Sequence, residues 1–198
     1  VLDSKNNRAI KATDGLVFIS SHALGVSSPT AIASDGSFFY VISSDKLLTR
    51  YDKNFNQLNQ VVLNSVATGT VVVTPDKLIV GYIKRPSFAD QVQVATSPVI
   101  QIRDKNTLNL LAERDLGLQG SDIQSVGLSV DSDFVYEATQ GTNHLIKYNI
   151  NDLSIVKKFS NYGPVRGVAA AGYFVQDSQR KIPIGTTGRY LQLRYRVD

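Results

Sequence analysis

The side chains that perform most enzyme chemistry are scarce in this 198-residue chain, which contains two histidines and no cysteine. The absence of cysteine excludes disulfides, thiolate zinc sites, iron–sulfur clusters and a cysteine nucleophile. His22 and His144 would have to meet to form a metal-binding or acid–base pair. The repeat described below places them in different units, so we expect each to be solvent-exposed or to cap a turn.

Two short motifs resemble sites of known chemistry only in part. Asp131-Ser132-Asp133 has the carboxylate spacing of a calcium loop, but the further oxygen ligands do not follow it, so we predict a plain β-turn. Residues 127–131 contain a serine between glycine and aspartate, yet they lack the final glycine of a nucleophile elbow. No phosphate-binding loop or dinucleotide fingerprint occurs. We predict no catalytic residue, no bound metal and no cofactor.

The acidic residues indicate the fold class. Glu113 and Glu137 are the only glutamates, and the other 15 acidic residues are aspartates. Glutamate favours helices, whereas aspartate and asparagine bond to nearby backbone and favour turns. A chain with this imbalance that is also rich in Val, Thr and Tyr is built from strands and turns. The composition predicts an all-β protein.

Short apolar runs follow turn signals along most of the chain. Asp35-Gly36 precedes the run from Phe38 to Ile42, and Pro75-Asp76 precedes the run from Leu78 to Ile83. Because these runs are apolar at consecutive positions, we expect both faces of each strand to be buried. In an all-β chain this requires a sheet to pack between two other sheets. The one competing helix, residues 108–114, would be about two turns long, and the repeat assigns it to a strand.

A sequence pattern recurs after these runs. Its aligned positions are 3, 52, 104, 149 and 196, which are separated by 49, 52, 45 and 47 residues. A period of about 48 residues with several strands per unit is typical of β-propeller blades. The pattern divides a single domain, residues 1–198, into units of roughly 3–51, 52–103, 104–148 and 149–196.

The repeat resembles that of YVTN, NHL and WD-type β-propellers. Their third strand is aliphatic and ends in an Asp or Asn turn, as in Leu48 to Asp52, and Phe39-Tyr40-Val41-Ile42 echoes the YVTN tetrapeptide. The resemblance implies an all-β propeller of about four blades, each with four antiparallel strands A to D. In the first complete blade these strands are predicted near Thr30–Ser34, Ser37–Ile42, Leu47–Tyr51 and Leu58–Leu63.

The two ends of the chain bear on whether such a ring closes. The last unit has three predicted strands, and Leu16–Ser20 is a spare strand that would supply the missing fourth. Pairing of the two ends would give a closed four-bladed ring without exposed sheet edges. The alternative is that the chain forms part of a larger propeller, completed by other residues or by a partner.

In this family the D–A connections and the B–C loops share one face. Two B–C loops, residues 84–98 and 177–188, are longer than a turn requires, and such loops are often functional. Arginine together with an aromatic residue is typical of binding hot spots. The alternative is a tolerated insertion that covers an edge. From the long loops, the 160–165 connection and the strand that follows it, we predict five binding residues: Arg85, Phe88, Tyr162, Arg166 and Arg180.

The basic residues are concentrated near the end of the chain, where residues 157–198 contain eight basic and two acidic side chains. A basic patch attracts nucleic acid, anionic glycans or lipid headgroups. Alternating Arg194 and Arg196 on an outer strand more often keep a sheet edge soluble. Nucleic acid or another polyanion is therefore a less favoured partner than a protein.

These observations favour a non-catalytic propeller that binds another protein, or assembles with itself, through its long-loop face. One alternative is a glycan-binding propeller whose exposed aromatic rings stack on sugars, although irregular loops do not provide repeated sites. Another is a propeller hydrolase or lactonase with a central divalent ion, which needs carboxylates from several blades. YVTN-like propellers are often secreted or on the cell surface, and no apolar run here is long enough to span a membrane.

Overall fold

The computed structural model describes residues 1–13, 15, 17–64, 69–84, 97–117, 126–139 and 144–159. Apart from a 3-10 turn at Ser4–Asn6, the elements within these ranges are β-strands, and no helix there could cross a membrane. The strands are β1 (Leu2–Asp3), β2 (Arg8–Ala12), β3 (Phe18–Ala23), β4 (Pro29–Ser34), β5 (Phe38–Ser43), β6 (Leu47–Asp52), β7 (Gln57–Val62), β8 (Gly69–Val73), β9 (Lys77–Lys84), β10 (Ser97–Asp104), β11 (Leu110–Asp115), β12 (Val126–Val130), β13 (Phe134–Thr139), β14 (His144–Asn149) and β15 (Ile155–Phe159).

These strands of the described ranges form four antiparallel sheets, which we number in chain order. The first sheet contains β1, β2 and β3, and the second, third and fourth sheets contain β4–β7, β8–β11 and β12–β15. In each sheet the strands follow one another in chain order. β8 lies beside β4 and β12, and β1 lies beside β4. The four strands predicted for the first complete blade are confirmed as β4 to β7, with boundaries that differ by at most one residue.

Among the described residues, apolar side chains fill the spaces between consecutive sheets in three clusters. Strand β9 shows how consecutive apolar residues divide between two of these spaces. Leu78 and Val80 belong to the cluster between the second and third sheets, and Ile79 belongs to the cluster between the third and fourth. The prediction that a sheet is buried on both faces is therefore confirmed for the third sheet.

Aspartates close the hairpins between the first two strands of the second and fourth sheets. The Asp35 carboxylate accepts a hydrogen bond from the Phe38 N–H at 2.8 Å, and Asp131 accepts one from the Phe134 N–H at 2.8 Å. The Tyr136 hydroxyl also donates to Asp131, at 2.8 Å. The β-turn predicted at Asp131 is therefore present, and its carboxylate is engaged in the turn itself.

The outer hairpin turns of the second, third and fourth sheets share one backbone feature. A residue in each has a left-handed backbone: Phe55 with φ 64°, Leu108 with φ 63° and Leu153 with φ 58°. This conformation is unfavourable for a branched side chain. Leu108 and Leu153 are nonetheless fully buried in the clusters that join their own sheets to the preceding ones. Burial of these side chains offsets the backbone strain.

The N-terminal segment departs from the predicted alignment of Asp3 with Asp52. The outer hairpin of the first sheet begins at Thr13, whose N–H donates to the Val17 carbonyl at 2.9 Å, as the Asp52 N–H donates to Asn56 at 3.0 Å. The predicted strand at Leu16–Ser20 corresponds to β3, which pairs with β2. Sequence analysis did not predict β2, because Ile10 is its only large apolar residue. Pairing with the last unit would involve residues outside the described ranges.

The outer strand of every sheet carries a bulge at the same place. In each case one residue falls between two paired positions, and its side chain is about half exposed: Ile19, Leu58, Leu111 and Val156. A bulge bends the strand and breaks the regular row of backbone donors and acceptors at its edge. The repeated bulge therefore disfavours edge-to-edge pairing between molecules.

Candidate binding face

One end of the molecule brings together the connections between sheets and the loops between second and third strands. In the second sheet the Ser27 N–H donates to Asp45 at 2.9 Å, and the Ser44 N–H donates to the Ser28 carbonyl at 3.0 Å. The Ser28 N–H donates to the Asn7 side chain of the first sheet at 2.7 Å. We call this end, defined by Asn7, Ser27–Ser28, Asp45, Lys84, Ser97 and Asp115, the loop face.

The two ends of the 85–96 loop are held together at the loop face by Asp115. Lys84, the last residue of β9, lies 3.2 Å from the Asp115 carboxylate, and Ser97, the first residue of β10, donates to the same carboxylate. The Gly117 N–H donates to Asp115 at 3.0 Å. Burial raises the pKa of Asp115, but the hydrogen bonds from Ser97, Gly117 and Lys84 outweigh it and leave the pKa below 3.8. Asp115 therefore stays ionised at neutral pH.

The five predicted binding residues lie outside the described ranges. Arg85 and Phe88 fall within residues 85–96, and Tyr162, Arg166 and Arg180 fall within residues 160–198. The structure describes Lys84, which directly precedes Arg85 in the chain. The binding role of all five residues remains a prediction.

The two histidines occupy different sheets, as expected, but both are partly buried in strands rather than exposed or capping a turn as predicted. His22 is part of β3, stacks on Phe55 with ring centres 4.8 Å apart, and shares a 2.9 Å hydrogen bond with Ser20. It therefore belongs to the contact between the first and second sheets. His144 begins β14, and burial lowers its pKa below 6.5. Its Nδ1 atom is buried and has no hydrogen-bond partner within the described residues.

Sequence analysis did not identify a buried carboxyl group in the fourth sheet. Glu137 is 1% exposed, and the Tyr148 hydroxyl donates to its Oε2 atom at 3.3 Å. Its Oε1 atom has no partner among the described residues. Burial raises the pKa of Glu137 to about 8. A glutamate within the apolar run that starts at Phe134 was the available signal, because such a position is rarely charged.

A second buried polar group, in the third sheet, has a structural role. The Gln101 amide donates to the Tyr82 hydroxyl at 3.2 Å and to Glu113, and Arg103 Nε donates to the Gln101 amide oxygen at 2.8 Å. Arg103 also donates to the Leu108 carbonyl at 2.6 Å. This network connects three strands to the outer turn of the sheet.

The described acidic and histidine side chains do not assemble into a metal site. Within those ranges no group of three or more His, Cys, Asp or Glu residues is placed to hold a metal ion. The acidic side chains at the turns, such as Asp35 and Asp131, accept hydrogen bonds from neighbouring backbone and hydroxyl groups instead.

Solved structures with low sequence identity share this arrangement of sheets. The computationally designed protein Ika8 matches with a TM-score of 0.56 and 12% identity, over 82% of this chain and 49% of that one. BamB from Moraxella catarrhalis matches with a TM-score of 0.52 and 14% identity, over 78% and 46%. The designed Ika4 protein gives 0.56 and 12%, over 76% and 86%. The fold is a β-propeller.

The likeness to these proteins shows the fold alone, because the sequence identities are so low. The chain spans about half the length of the Ika8 and BamB chains. No protein-family model matches the sequence, and neither does any curated protein.

Proposed function

We propose that this β-propeller is a non-catalytic binding module that contacts another protein, or further copies of itself, through the loop face. Its repeat is of the YVTN, NHL or WD type, and its binding residues are those predicted from the sequence: Arg85, Phe88, Tyr162, Arg166 and Arg180.

The contact of Asp115 with both ends of the 85–96 loop is the observation that supports this proposal most directly. A loop whose two ends are fixed loses less conformational freedom on binding than one with free ends. Lys84 and Ser97, the described residues on either side of 85–96, both contact a single carboxylate. Arg85 and Phe88 are the residues of this loop with hot-spot chemistry.

Cross-linking from the loop tests the proposal. A photoreactive phenylalanine analogue replaces Phe88 in one variant, and in a control it replaces Lys53, an exposed residue of the outer turn at the other end of the second sheet. We expect irradiation in the native source to join the chain to a protein, or to a second copy, from position 88 and not from position 53. Equal products from both positions, or none from position 88, would contradict the proposal.

Light scattering separates the two kinds of partner. If self-assembly is the function, the purified chain forms an oligomer whose mass is at least twice the monomer mass of 21.6 kDa. The double variant Arg85→Ala, Phe88→Ala then reverts to the monomer with an unchanged melting temperature. If the partner is a different protein, the chain is a monomer by itself, and the cross-linked product contains another polypeptide.

A further inference from the structure

Glu137 is the only buried carboxylate within the described residues. In the sheet register it lies between Leu128 of β12 and Ile146 of β14. Both neighbours belong to the apolar cluster that joins the third and fourth sheets. The carboxyl group is thus placed within a sheet–sheet contact, where an ionised form would lack the hydration that it has in water.

Among the described residues, the groups that face Glu137 do not neutralise a negative charge. Tyr148 of β14 provides a single hydrogen bond of 3.3 Å from its hydroxyl, and Lys158 of β15 is itself exposed to solvent. Arg114 of β11 lies with its guanidinium 5.9 Å from the centre of the Tyr148 ring and donates to the Leu153 carbonyl. His144, two residues before Ile146 on the same face of the sheet, has its own charged form disfavoured by burial and by Lys158.

The fourth sheet, which carries Glu137, and the third sheet are in close contact. A Cβ atom at Gly81 of the third sheet would lie 2.9 Å from Leu128 and 3.1 Å from Val126 of the fourth. The contact therefore has little room to admit water around a new charge without separation of the two sheets.

We propose that Glu137 makes the contact between the third and fourth sheets sensitive to pH. The protonated carboxyl group packs in the closed contact, and loss of its proton loosens the fourth sheet from the third. Burial raises the pKa of Glu137 from 4.5 to about 8, with only a partial opposing effect of Tyr148 and Lys158. The closed form thus binds the proton more tightly than an opened form. The stability that the protonated carboxyl group gives to the contact is fully present below pH 4.5 and is lost as pH rises to about 8.

Hydrogen exchange of the full chain, corrected for the intrinsic pH dependence of amide exchange, tests this directly. The opening constant of amides in β13 and β14 should increase by up to about tenfold per pH unit in this range, or about a hundredfold from pH 6 to 9. Amides in β5 and β6 should change much less. Glu137→Gln should abolish the increase, and Glu113→Gln, which replaces the other glutamate of the chain, should retain it. The same increase in Glu137→Gln, or equal increases in both sheets, would overturn the proposal.

Tyr148→Phe provides a test that does not depend on the folding of Glu137→Gln. The hydroxyl of Tyr148 donates to the carboxylate and so favours its ionised form. Its removal should raise the pKa of Glu137 further and move the pH at which the opening constant levels off upward. An unchanged pH dependence would show that Glu137 does not control the contact.

Discussion

The ammonium group of Lys105, in the outer turn of the third sheet, lies 3.1 Å from a carboxylate oxygen of Asp35 in the second sheet. Both side chains are largely buried, with 19% and 13% of their surfaces exposed. The neighbouring Asn106 accepts a 2.8 Å hydrogen bond at its carbonyl from Arg50 of the second sheet. One turn of the third sheet therefore contacts two separate parts of the second, so its residues connect consecutive sheets.

Replacement of Lys105 should weaken this connection. Lys105→Met removes the partner of a partly buried carboxylate, and we expect a loss of about 1 kcal/mol in the free energy of unfolding. The matched control is Lys53→Met. Lys53 holds the corresponding position in the outer turn of the second sheet, is exposed, and forms no ion pair within the described residues. Denaturant titration measures both effects, and equal losses would show that the ion pair has no specific role.

The same pair should contribute to acid sensitivity. Burial raises the pKa of Asp35, but hydrogen bonds from the Phe38 and Ser37 N–H groups and from Lys105 outweigh it and leave the pKa below 3.8. A lowered pKa stabilises the folded state above the unfolded pKa, and this stability is lost as pH falls through the folded value. Asp35→Asn should therefore reduce the loss of stability between pH 5 and pH 2 relative to the unmodified chain, as measured by denaturant titration.

Leu108 should contribute more to stability than any exposed leucine, although its backbone is strained. Its side chain is fully buried between the second and third sheets, so Leu108→Ala should cost about 2–5 kcal/mol of unfolding free energy. Leu58 is 48% exposed at the bulge of β7, and Leu58→Ala should change stability by less than about 0.5 kcal/mol. Equal effects of the two changes would contradict the burial of the turn residue.

The strands of the second sheet could be predicted from sequence because Asp-rich turns bound consecutive apolar residues. Most of the 108–114 segment was also assigned correctly to a strand, since its repeat position outweighed its helical propensity, although Leu108 and Asn109 lie in the outer turn and the strand begins at Leu110. By contrast, β2 was not predicted, because a strand with one large apolar residue gives no periodic pattern of hydrophobicity. The apolar residues around Glu137 were a signal of its burial, but the sheet against which it packs could not be predicted. Which neighbouring sheet a strand residue faces depends on how the sheets pack. The alternation of apolar and polar residues along a strand does not show this when both faces of the strand are buried.

Gly81 should be required for the close approach of the third and fourth sheets. A methyl group there would lie 2.9 Å from Leu128 and 3.1 Å from Thr70 and Val126, so Gly81→Ala should destabilise the fold by about 1–3 kcal/mol. Gly25→Ala is the control, because its nearest contact would be an ordinary 3.5 Å to the Gln57 side chain. Calorimetry should show a lower melting temperature for Gly81→Ala alone.

Asp115 should limit the access of a protease to the start of the 85–96 loop but should contribute little to the stability of the propeller. Asp115→Asn removes the charge that holds Lys84 and weakens the hydrogen bonds from Ser97 and Gly117. Since these contacts are partly exposed, the melting temperature should change little. Limited digestion with trypsin should cleave after Lys84 several times faster than in the unmodified chain, whereas Pro86 blocks cleavage after Arg85. Asp76→Asn alters an exposed carboxylate beside the hairpin turn that precedes β9 and should leave the cleavage rate unchanged. Equal rates in all three proteins would show that the loop does not depend on Asp115 for its position, which would remove the main support for the loop face as a binding surface.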